Sequence, residues 1–378
     1  MATISNTPRP GYVWDSTDNV WYPIGVGAHQ HTNAADTPAV MPYSTYAAAG
    51  KNKIINGDFT INQRNFTSAT GNGEFGFDRW KNNVGSSGGT STFTSQTFTP
   101  GAAPITGYEG ATFAQIISAS QSGVSDWSGL LQNIEDVRTF AGQTVTVSFW
   151  AKAASGTPKV GVTFEQAFGP GGSAAIYTSA TALTISTSWA RYSVSIALPS
   201  LTGKTIAPGN RLGLYIFNST GSTLTSLNFS NTGLQNGTFQ YWGIQVEAGS
   251  NATAFQTATG NPASELAACQ RYYYRAVADT AYGSVAPYAV AASSSGFIAM
   301  IQPPATMRVS PTSIDFSTLA FVNYADTLYA VSSLTLPANN NKQVILVSGS
   351  MTGATAGHAG RLTGNNSTAA YLGFSAEL

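Results

Sequence analysis

The sequence contains little charge of either sign. Only 9% of its 378 residues are charged, and 17 basic and 17 acidic side chains give a net charge of zero, whereas roughly 25% of residues are charged in ordinary soluble domains. A neutral chain has no electrostatic footprint for nucleic acid or an anionic membrane. Its composition therefore suits neutral partners such as sugars, or further copies of the same chain.

Cysteine and long apolar runs are also scarce. Cys269 is the single cysteine, which excludes a disulfide within the chain and a multi-cysteine zinc site. No apolar run reaches the about 18 residues that a membrane helix needs, and the first residues, MATISNTPRP, lack the hydrophobic region of a signal peptide. We therefore expect no membrane insertion and synthesis in a cytoplasm.

Residues 1–50 are predicted to form a hairpin followed by a linker. Aromatic and β-branched residues at 12–14 and 20–22 flank a polar five-residue turn, a pattern typical of a β-hairpin. Trp14 and Trp21 are expected to lie near one another across its two strands. Residues 32–50 are small and contain two prolines, as expected of a linker.

A pair of histidines, His29 and His31, lies between the predicted hairpin and the linker. In a strand both imidazoles face the same side, but two ligands from one chain are too few for a stable metal site. Three chains around an axis would offer six nitrogens, a set that suits a divalent transition metal. The alternative is that both are polar linker residues.

The rest of the chain reads as all-β, with a central sandwich or jelly roll over 51–260 and a smaller β-sandwich over 261–378. Short alternating or β-branched runs recur between turns rich in Gly, Ser, Pro and Asn. The segment 128–140 fits either a helix or a strand. Asn261 and Pro262 predict the start of a short helix over 264–270, since Asn favours the N-cap and Pro the first helical position.

Nothing in the sequence indicates an enzyme. No P-loop, HExxH or Gly-x-Ser-x-Gly motif is present, and the three histidines do not suggest a catalytic triad. A glycosidase needs two facing carboxylates, but the candidates cannot be paired from the sequence: they are Asp126, Glu135, Glu165 and Glu247.

Aromatic residues suit the binding of neutral sugars. Trp127 lies in the polar, turn-like stretch 122–129 and is predicted to be the exposed aromatic platform, with Tyr108, Gln132 and Asn133 as neighbours. The other tryptophans of the central region lie in or beside apolar strands, where core packing is expected: Trp80, Trp150, Trp189 and Trp242.

Several motifs, in this order, resemble bacteriophage tail-fibre or receptor-binding proteins with a carbohydrate-binding-module-like jelly roll. They span residues 53–274, over half of the chain, and are Lys53–Phe59, Phe77–Trp80, Thr144–Ala151, Trp189–Tyr192, Tyr241–Gly249 and Glu265–Tyr273. The resemblance implies a homotrimer in the virion, made in the host cytoplasm, with its N-terminal segment anchored to other virion proteins.

The function implied is adsorption through host-surface polysaccharide. Two alternatives stay open: a purely structural virion component, such as a head fibre, decoration or connector protein, and a depolymerase spike. A trimer would favour metal binding by His29 and His31 at its axis. Such modules often carry a structural calcium, for which Asp58 and Glu247 are the candidates; alternatively, Asp58 caps a turn and Glu247 pairs with an arginine.

Overall fold

The computed structural model describes residues 12–15, 20–23, 50–85, 87–105, 107–179, 181–226 and 232–378. The chain is 45% strand and 4% helix, which confirms the all-β prediction. His29 and His31 lie outside the described residues. Within the described ranges, no helix has the length and apolar character needed to cross a membrane.

The N-terminal unit contains the predicted hairpin. Strands β1 (Tyr12–Asp15) and β2 (Val20–Pro23) pair antiparallel. Their register places Trp14 opposite Trp21, as the sequence predicted. The turn between them lies outside the described residues.

The remaining residues form a second compact unit, which starts at residue 47. Its first part contains twelve of the strands described and one short helix. In chain order they are β3 (Ser68–Ala69), β4 (Lys81–Gly85), β5 (Thr90–Thr97), β6 (Thr112–Ala119), β7 (Trp127–Glu135), β8 (Thr144–Ala153), β9 (Lys159–Ala167), β10 (Ile176–Tyr177), β11 (Thr181–Thr184), β12 (Ala190–Ala197), β13 (Arg211–Thr220), α1 (Ser222–Ser226) and then the twelve-residue β14 (Gly237–Ala248).

These strands form two antiparallel sheets that face one another. Sheet I has the order β10-β9-β13-β7-β4, with β11 also pairing with β9, and sheet II has the order β12-β8-β14-β6-β5-β3. Every second residue is apolar and fully buried from Val145 to Ala151 in β8 and from Val160 to Phe164 in β9, because side chains alternate between the two faces of a strand. The inward halves of both sheets thus make one core.

The sequence motifs Lys53–Phe59 and Phe77–Trp80 close one end of this core. The rings of Phe59 and Trp80 lie 5.2 Å apart, both fully buried. The Trp80 indole donates to the Asn56 carbonyl at 2.9 Å, so its polar atom is satisfied although the ring is inside. These residues therefore build the sandwich.

Helix α2 (Pro262–Gln270) follows the first sandwich and confirms the predicted helix. Asn261 is its N-cap and accepts a hydrogen bond from the Ser264 N–H at 2.9 Å. The next strands are β15 (Tyr273–Val277), β16 (Ser284–Ala291), β17 (Gly296–Ile301), β18 (Ser313–Ser317), β19 (Leu319–Asn323), β20 (Leu328–Ala330), β21 (Ser333–Thr335), β22 (Ile345–Ser350), β23 (Ala359–Gly364) and β24 (Tyr371–Ser375).

These later strands form a second sandwich. Sheet III has the order β15-β24-β18, and sheet IV has the order β20-β19-β23-β16-β17-β22-β21. Apolar side chains from both sheets share one core, among them Phe374 of sheet III and Phe297 of sheet IV.

Ionic contacts join the two sandwiches. The Arg79 guanidinium lies 3.5 Å over the Tyr272 ring and pairs with Glu377, although Arg79 and Glu377 are both almost completely buried. Arg271 donates to both carboxylate oxygens of Glu135 at 2.9 Å. Removing one partner of the buried pair would leave an uncompensated buried charge, so Arg79 and Glu377 depend on one another.

Candidate functional site

The outer face of sheet I carries an unusual set of aromatic side chains. On β13, Leu212, Leu214 and Ile216 point into the core, so Tyr215 and Phe217 point outward. Trp127, Tyr177 and Tyr215 pack against a small cluster formed by Phe217 and Leu224. We call these four residues the aromatic face: Trp127, Tyr177, Tyr215 and Phe217.

Glycines keep this surface flat. Phe217 pairs with Gly129 on one side and Gly161 on the other, so no side chain flanks its ring across the sheet. The rings of Tyr215 and Phe217 are stacked, with centroids 5.5 Å apart and planes inclined by 13°. Phe217 itself is 1% exposed, so its ring supports the partly exposed rings of Trp127, Tyr177 and Tyr215, and only those three can contact a ligand.

Glu165 supplies the negative charge at the edge of the aromatic face. Its Oε2 accepts from the Tyr215 hydroxyl at 2.9 Å and from Arg211 at 3.1 Å, and its Oε1 accepts from the Tyr177 hydroxyl at 3.3 Å. Burial, followed by the charge of Glu165, raises the pKa of both Tyr177 and Tyr215. Both phenols therefore remain protonated donors, with their rings held in place by one carboxylate.

Two asparagines add hydrogen-bonding groups. The Trp127 indole donates to Asn83 Oδ1 at 3.3 Å, and Asn133 lies beside Glu165 above Gly213. In the part of the chain that the structure describes, Asn83 Nδ2 and Asn133 Oδ1 are buried and lack partners. Buried polar atoms without partners are uncommon in folded proteins, so each of these two atoms has an unused hydrogen-bonding position.

A buried carboxylate fixes the loops that carry Trp127. Asp126 accepts from the backbone N–H groups of Ser87 at 2.5 Å, Gly89 at 3.1 Å, Ser122 at 2.9 Å and Gly123 at 2.6 Å. Burial raises the pKa of Asp126, but these four bonds outweigh it and lower the pKa to about 2. The carboxylate is thus ionised at neutral pH and accepts hydrogen bonds from the backbone of these loops.

Trp127 itself is half-buried, because its indole lies over the backbone of Gly85. A Cβ at Gly85 would lie 2.1 Å from the ring, closer than real contacts allow, so a glycine is required there. The prediction for Trp127 placed it in a polar turn, whereas it begins β7. Contact between Trp127 and a ligand stays a prediction.

The residues predicted to neighbour Trp127 do not share one surface. Asn133 lies on the outer face of β7, but Gln132 points inward, since adjacent strand residues face opposite sides. Gln132 is 1% exposed, and its amide exchanges hydrogen bonds of 3.0 and 2.9 Å with the Ile55 backbone. Tyr108 lies elsewhere and donates to Asp58 at 2.7 Å.

Sequence reasoning missed several residues of the aromatic face. Tyr177, Arg211 and Tyr215 were not singled out, and Glu165 was considered only as a hydrolytic carboxylate. In the run Arg-x-Gly-x-Tyr-x-Phe over 211–217, the four named residues alternate and so point to the same, outward face of a strand. This alternation is the signal from which Arg211 and Tyr215 could have been found.

The other carboxylates considered for hydrolysis have partners of their own. Asp126 serves the backbone, and Glu135 binds Arg271 at the junction between the sandwiches. Glu247 accepts from Lys51 at 2.9 Å, from the Thr253 N–H at 2.9 Å and from Gln245 at 2.7 Å.

The two candidates for calcium binding are not brought together by any of these contacts. Glu247 is fully buried and already faces the Lys51 ammonium, while Asp58 binds Tyr108. Among the residues described, no group of three or more His, Cys, Asp or Glu side chains could hold a metal ion. A structural calcium held by Asp58 and Glu247 stays a prediction.

Comparison with protein families identifies the region that carries most of this site. Residues 51–207 match the carbohydrate binding domain family. Trp127, Glu165 and Tyr177 lie within the matched region, and Tyr215 and Phe217 follow it. A comparison with curated proteins gives no significant match.

Solved structures to which this chain is similar have low sequence identity to it. A family 11 carbohydrate-binding module of Clostridium thermocellum, in complex with a beta-1,3-1,4-mixed-linked tetrasaccharide, is 9% identical; 50% of this chain and 99% of that one are covered, with a TM-score of 0.30. The enzymatically active domain of bacteriophage CBA120 tailspike protein 4 is 14% identical, with 52% and 21% covered and a TM-score of 0.29. A cyclase from Fischerella sp. TAU is 14% identical, with 53% and 98% covered and a TM-score of 0.33.

Proposed function

We propose that this protein binds carbohydrate on the aromatic face of sheet I. The observation that carries the proposal is the outward placement of Trp127, Tyr177 and Tyr215 on a sheet whose strands β4, β7, β9, β10 and β11 lie in the region matching the carbohydrate binding domain family. Aromatic side chains and hydrogen-bonding groups meet there on one surface.

Sugar rings are apolar on their faces and rich in hydroxyls at their edges. The half-buried rings of Trp127 and Tyr215 offer flat apolar contact, and Asn83 and Asn133 offer a donor and an acceptor beside them. Glu165 and Arg211 lie at the edge, where each can bond hydroxyl groups. Because their charges compensate one another, the surface favours a neutral glycan over a strongly anionic one.

We further propose that the glycan is a host-surface polysaccharide and that the chain acts in adsorption as part of a virion fibre. This step is supported by the ordered motifs that resemble tail-fibre and receptor-binding proteins. A homotrimer, an N-terminal anchor to other virion proteins through the hairpin of Trp14 and Trp21, and a metal at His29 and His31 belong to the same proposal.

The experiment measures binding of purified protein to host polysaccharide by calorimetry or affinity electrophoresis. Trp127→Ala and Tyr215→Ala are each expected to weaken binding roughly tenfold, since an aromatic contact contributes on the order of 1 kcal/mol beyond its buried area. Tyr288→Ala is the matched control, because Tyr288 is 64% exposed and lies in the second sandwich.

Equal losses in all three variants, or none, would exclude the aromatic face as the binding site. Absence of glycan binding together with attachment to a capsid would favour the structural virion component instead. Release of oligosaccharides from the polysaccharide would establish a depolymerase. Localisation of the protein in an assembled particle tests the virion role independently of the sugar.

A further inference from the structure

A cavity lies against the outer face of sheet II. It has a volume of about 570 Å³ and is bounded by Asp58, by Tyr108 and by the segment 255–265. Its aromatic wall is fixed from behind, since the rings of Tyr108 and Phe255 lie 5.3 and 5.1 Å from the buried Trp242. The cavity is therefore distinct from the aromatic face on sheet I.

The charges that line this cavity are all negative. Asp58, Glu109 and Glu265 contribute carboxylates, and none of the lining residues described is Lys, Arg or His. Glu265 is 2% exposed and is fixed by the backbone N–H groups of Asn56 at 2.6 Å and Thr259 at 3.0 Å. Only 9% of the residues of the chain are charged, so three carboxylates around one cavity are an unusual concentration of negative charge.

Asp58 carries an unpaired oxygen at the wall. The residue is 4% exposed, and its Oδ2 accepts from the Tyr108 hydroxyl at 2.7 Å. Its Oδ1 is buried without a partner among the residues described. Burial, and then the charge of Asp58, raises the pKa of Tyr108, so the phenol remains a donor and Asp58 still lacks one hydrogen bond.

Two other classes of ligand fit this cavity less well. An anion is disfavoured, because the positive end of α2 is already met by Glu265 in its first turn and by the Asn261 cap. A metal ion needs converging ligands, and the carboxylates do not form such a cluster within the described part of the chain. A donor that is larger than a metal ion and positively charged matches both the aromatic wall and the carboxylates.

We propose that this cavity is a second binding site, for an organic cation whose ammonium group lies between the Tyr108 and Phe255 rings and the carboxylate of Asp58. Aromatic rings attract ammonium groups, and the attraction grows when the cation leaves water. The free amino group of an amino sugar is a ligand of this class that the volume accommodates. The site is independent of glycan binding on sheet I.

The test uses two probes, a glucosamine trimer and its fully N-acetylated counterpart, in which a neutral acetamide replaces each ammonium group. Binding to the full chain is followed by calorimetry and by NMR signals of aromatic residues. The amine form is expected to bind, and its affinity should fall as salt is added, because salt screens the attraction between charges. The acetylated form is not expected to bind. Equal binding of both probes at this cavity, or binding of neither, overturns the proposal.

Variants separate the carboxylate from the phenol that shares it. Asp58→Asn is expected to weaken binding of the amine probe roughly tenfold or more, because a charge-assisted hydrogen bond is lost. Tyr108→Phe removes the competing donor but keeps the ring, so it should bind at least as tightly as the wild type. If Asp58→Asn folds poorly, binding of the amine probe to Tyr108→Phe still tests the proposal.

Asp326→Asn in the second sandwich is the matched control, since Asp326 is an exposed carboxylate whose side chain is 81% accessible. Trp127→Ala is expected to keep the amine response, which distinguishes this site from the aromatic face. A response of the Tyr108 signals to calcium alone, with none to the amine, would show a metal site and overturn the proposal.

Discussion

Asp126 is expected to be the residue on which the loops around Trp127 depend. Its two oxygens each accept two backbone N–H groups, Oδ1 from Ser87 and Gly89 and Oδ2 from Ser122 and Gly123. Asp126→Asn preserves the shape but replaces one oxygen with an NH₂ group. That NH₂ faces two N–H groups and bonds neither, so two of the four bonds are lost.

The size of the effect follows from these two lost bonds. A hydrogen bond to a charged group contributes about 1.5–3 kcal/mol, and the lower value applies because Ser87 and Ser122 lie in exposed loops. We expect Asp126→Asn to lower the free energy of unfolding by about 3 kcal/mol at neutral pH. Asp136→Asn is the control, since the Asp136 side chain is 44% exposed and binds Arg138 through an ion pair and through the Arg138 N–H, which an Asn Oδ1 can still accept. It should change the free energy of unfolding by less than about 0.5 kcal/mol.

The pH dependence provides a second measurement on the same variant. The pKa of Asp126 is about 2, below its ordinary value of 3.8, so its contribution is present above about pH 4 and is lost as the pH falls toward 2. The difference between wild type and Asp126→Asn in urea unfolding should therefore shrink over this interval. A difference below 0.5 kcal/mol at pH 7, or one that stays constant down to pH 2, would refute the role given to the four bonds.

Three further predictions concern the other buried charges. Arg79→Met should lower the free energy of unfolding by about 3 kcal/mol, because Glu377 is left buried with its main partner gone; a value near that of a surface variant would show that the junction does not depend on this pair. Lys51→Met should destabilise the fold by about 2 kcal/mol, since Glu247 loses its counter-charge. A calcium chelator should leave the wild-type Tm unchanged. A chelator-induced fall in Tm would contradict the assignment of Lys51 as the counter-charge of Glu247. Burial raises the pKa of Asp78 to about 6. The stability that this group contributes is therefore present below about pH 4 and is lost as the pH rises through 6. Asp78→Asn should abolish this dependence of the free energy of unfolding on pH, measured across the same interval.

Local sequence determined the class of fold and several of its parts. Alternating and β-branched runs separated by turn residues predict strands, and the chain is all-β because that pattern recurs throughout. The helix that starts at Pro262 could be predicted because its N-cap, Asn261, acts through its own neighbours in the chain. The hairpin register of Trp14 and Trp21 follows in the same way from a short turn between two aromatic runs.

Tertiary structure decided which side chains meet. Trp127, Glu165 and Tyr215 come from three different strands, and only the order of strands in sheet I places them on one face. The sequence places Gln132 next to Asn133, yet one points into the core and the other outward, because strand residues alternate. Asp58 and Tyr108 are fifty positions apart and lie outside the strands; they meet at the cavity because the segments that carry them pack together in the folded domain.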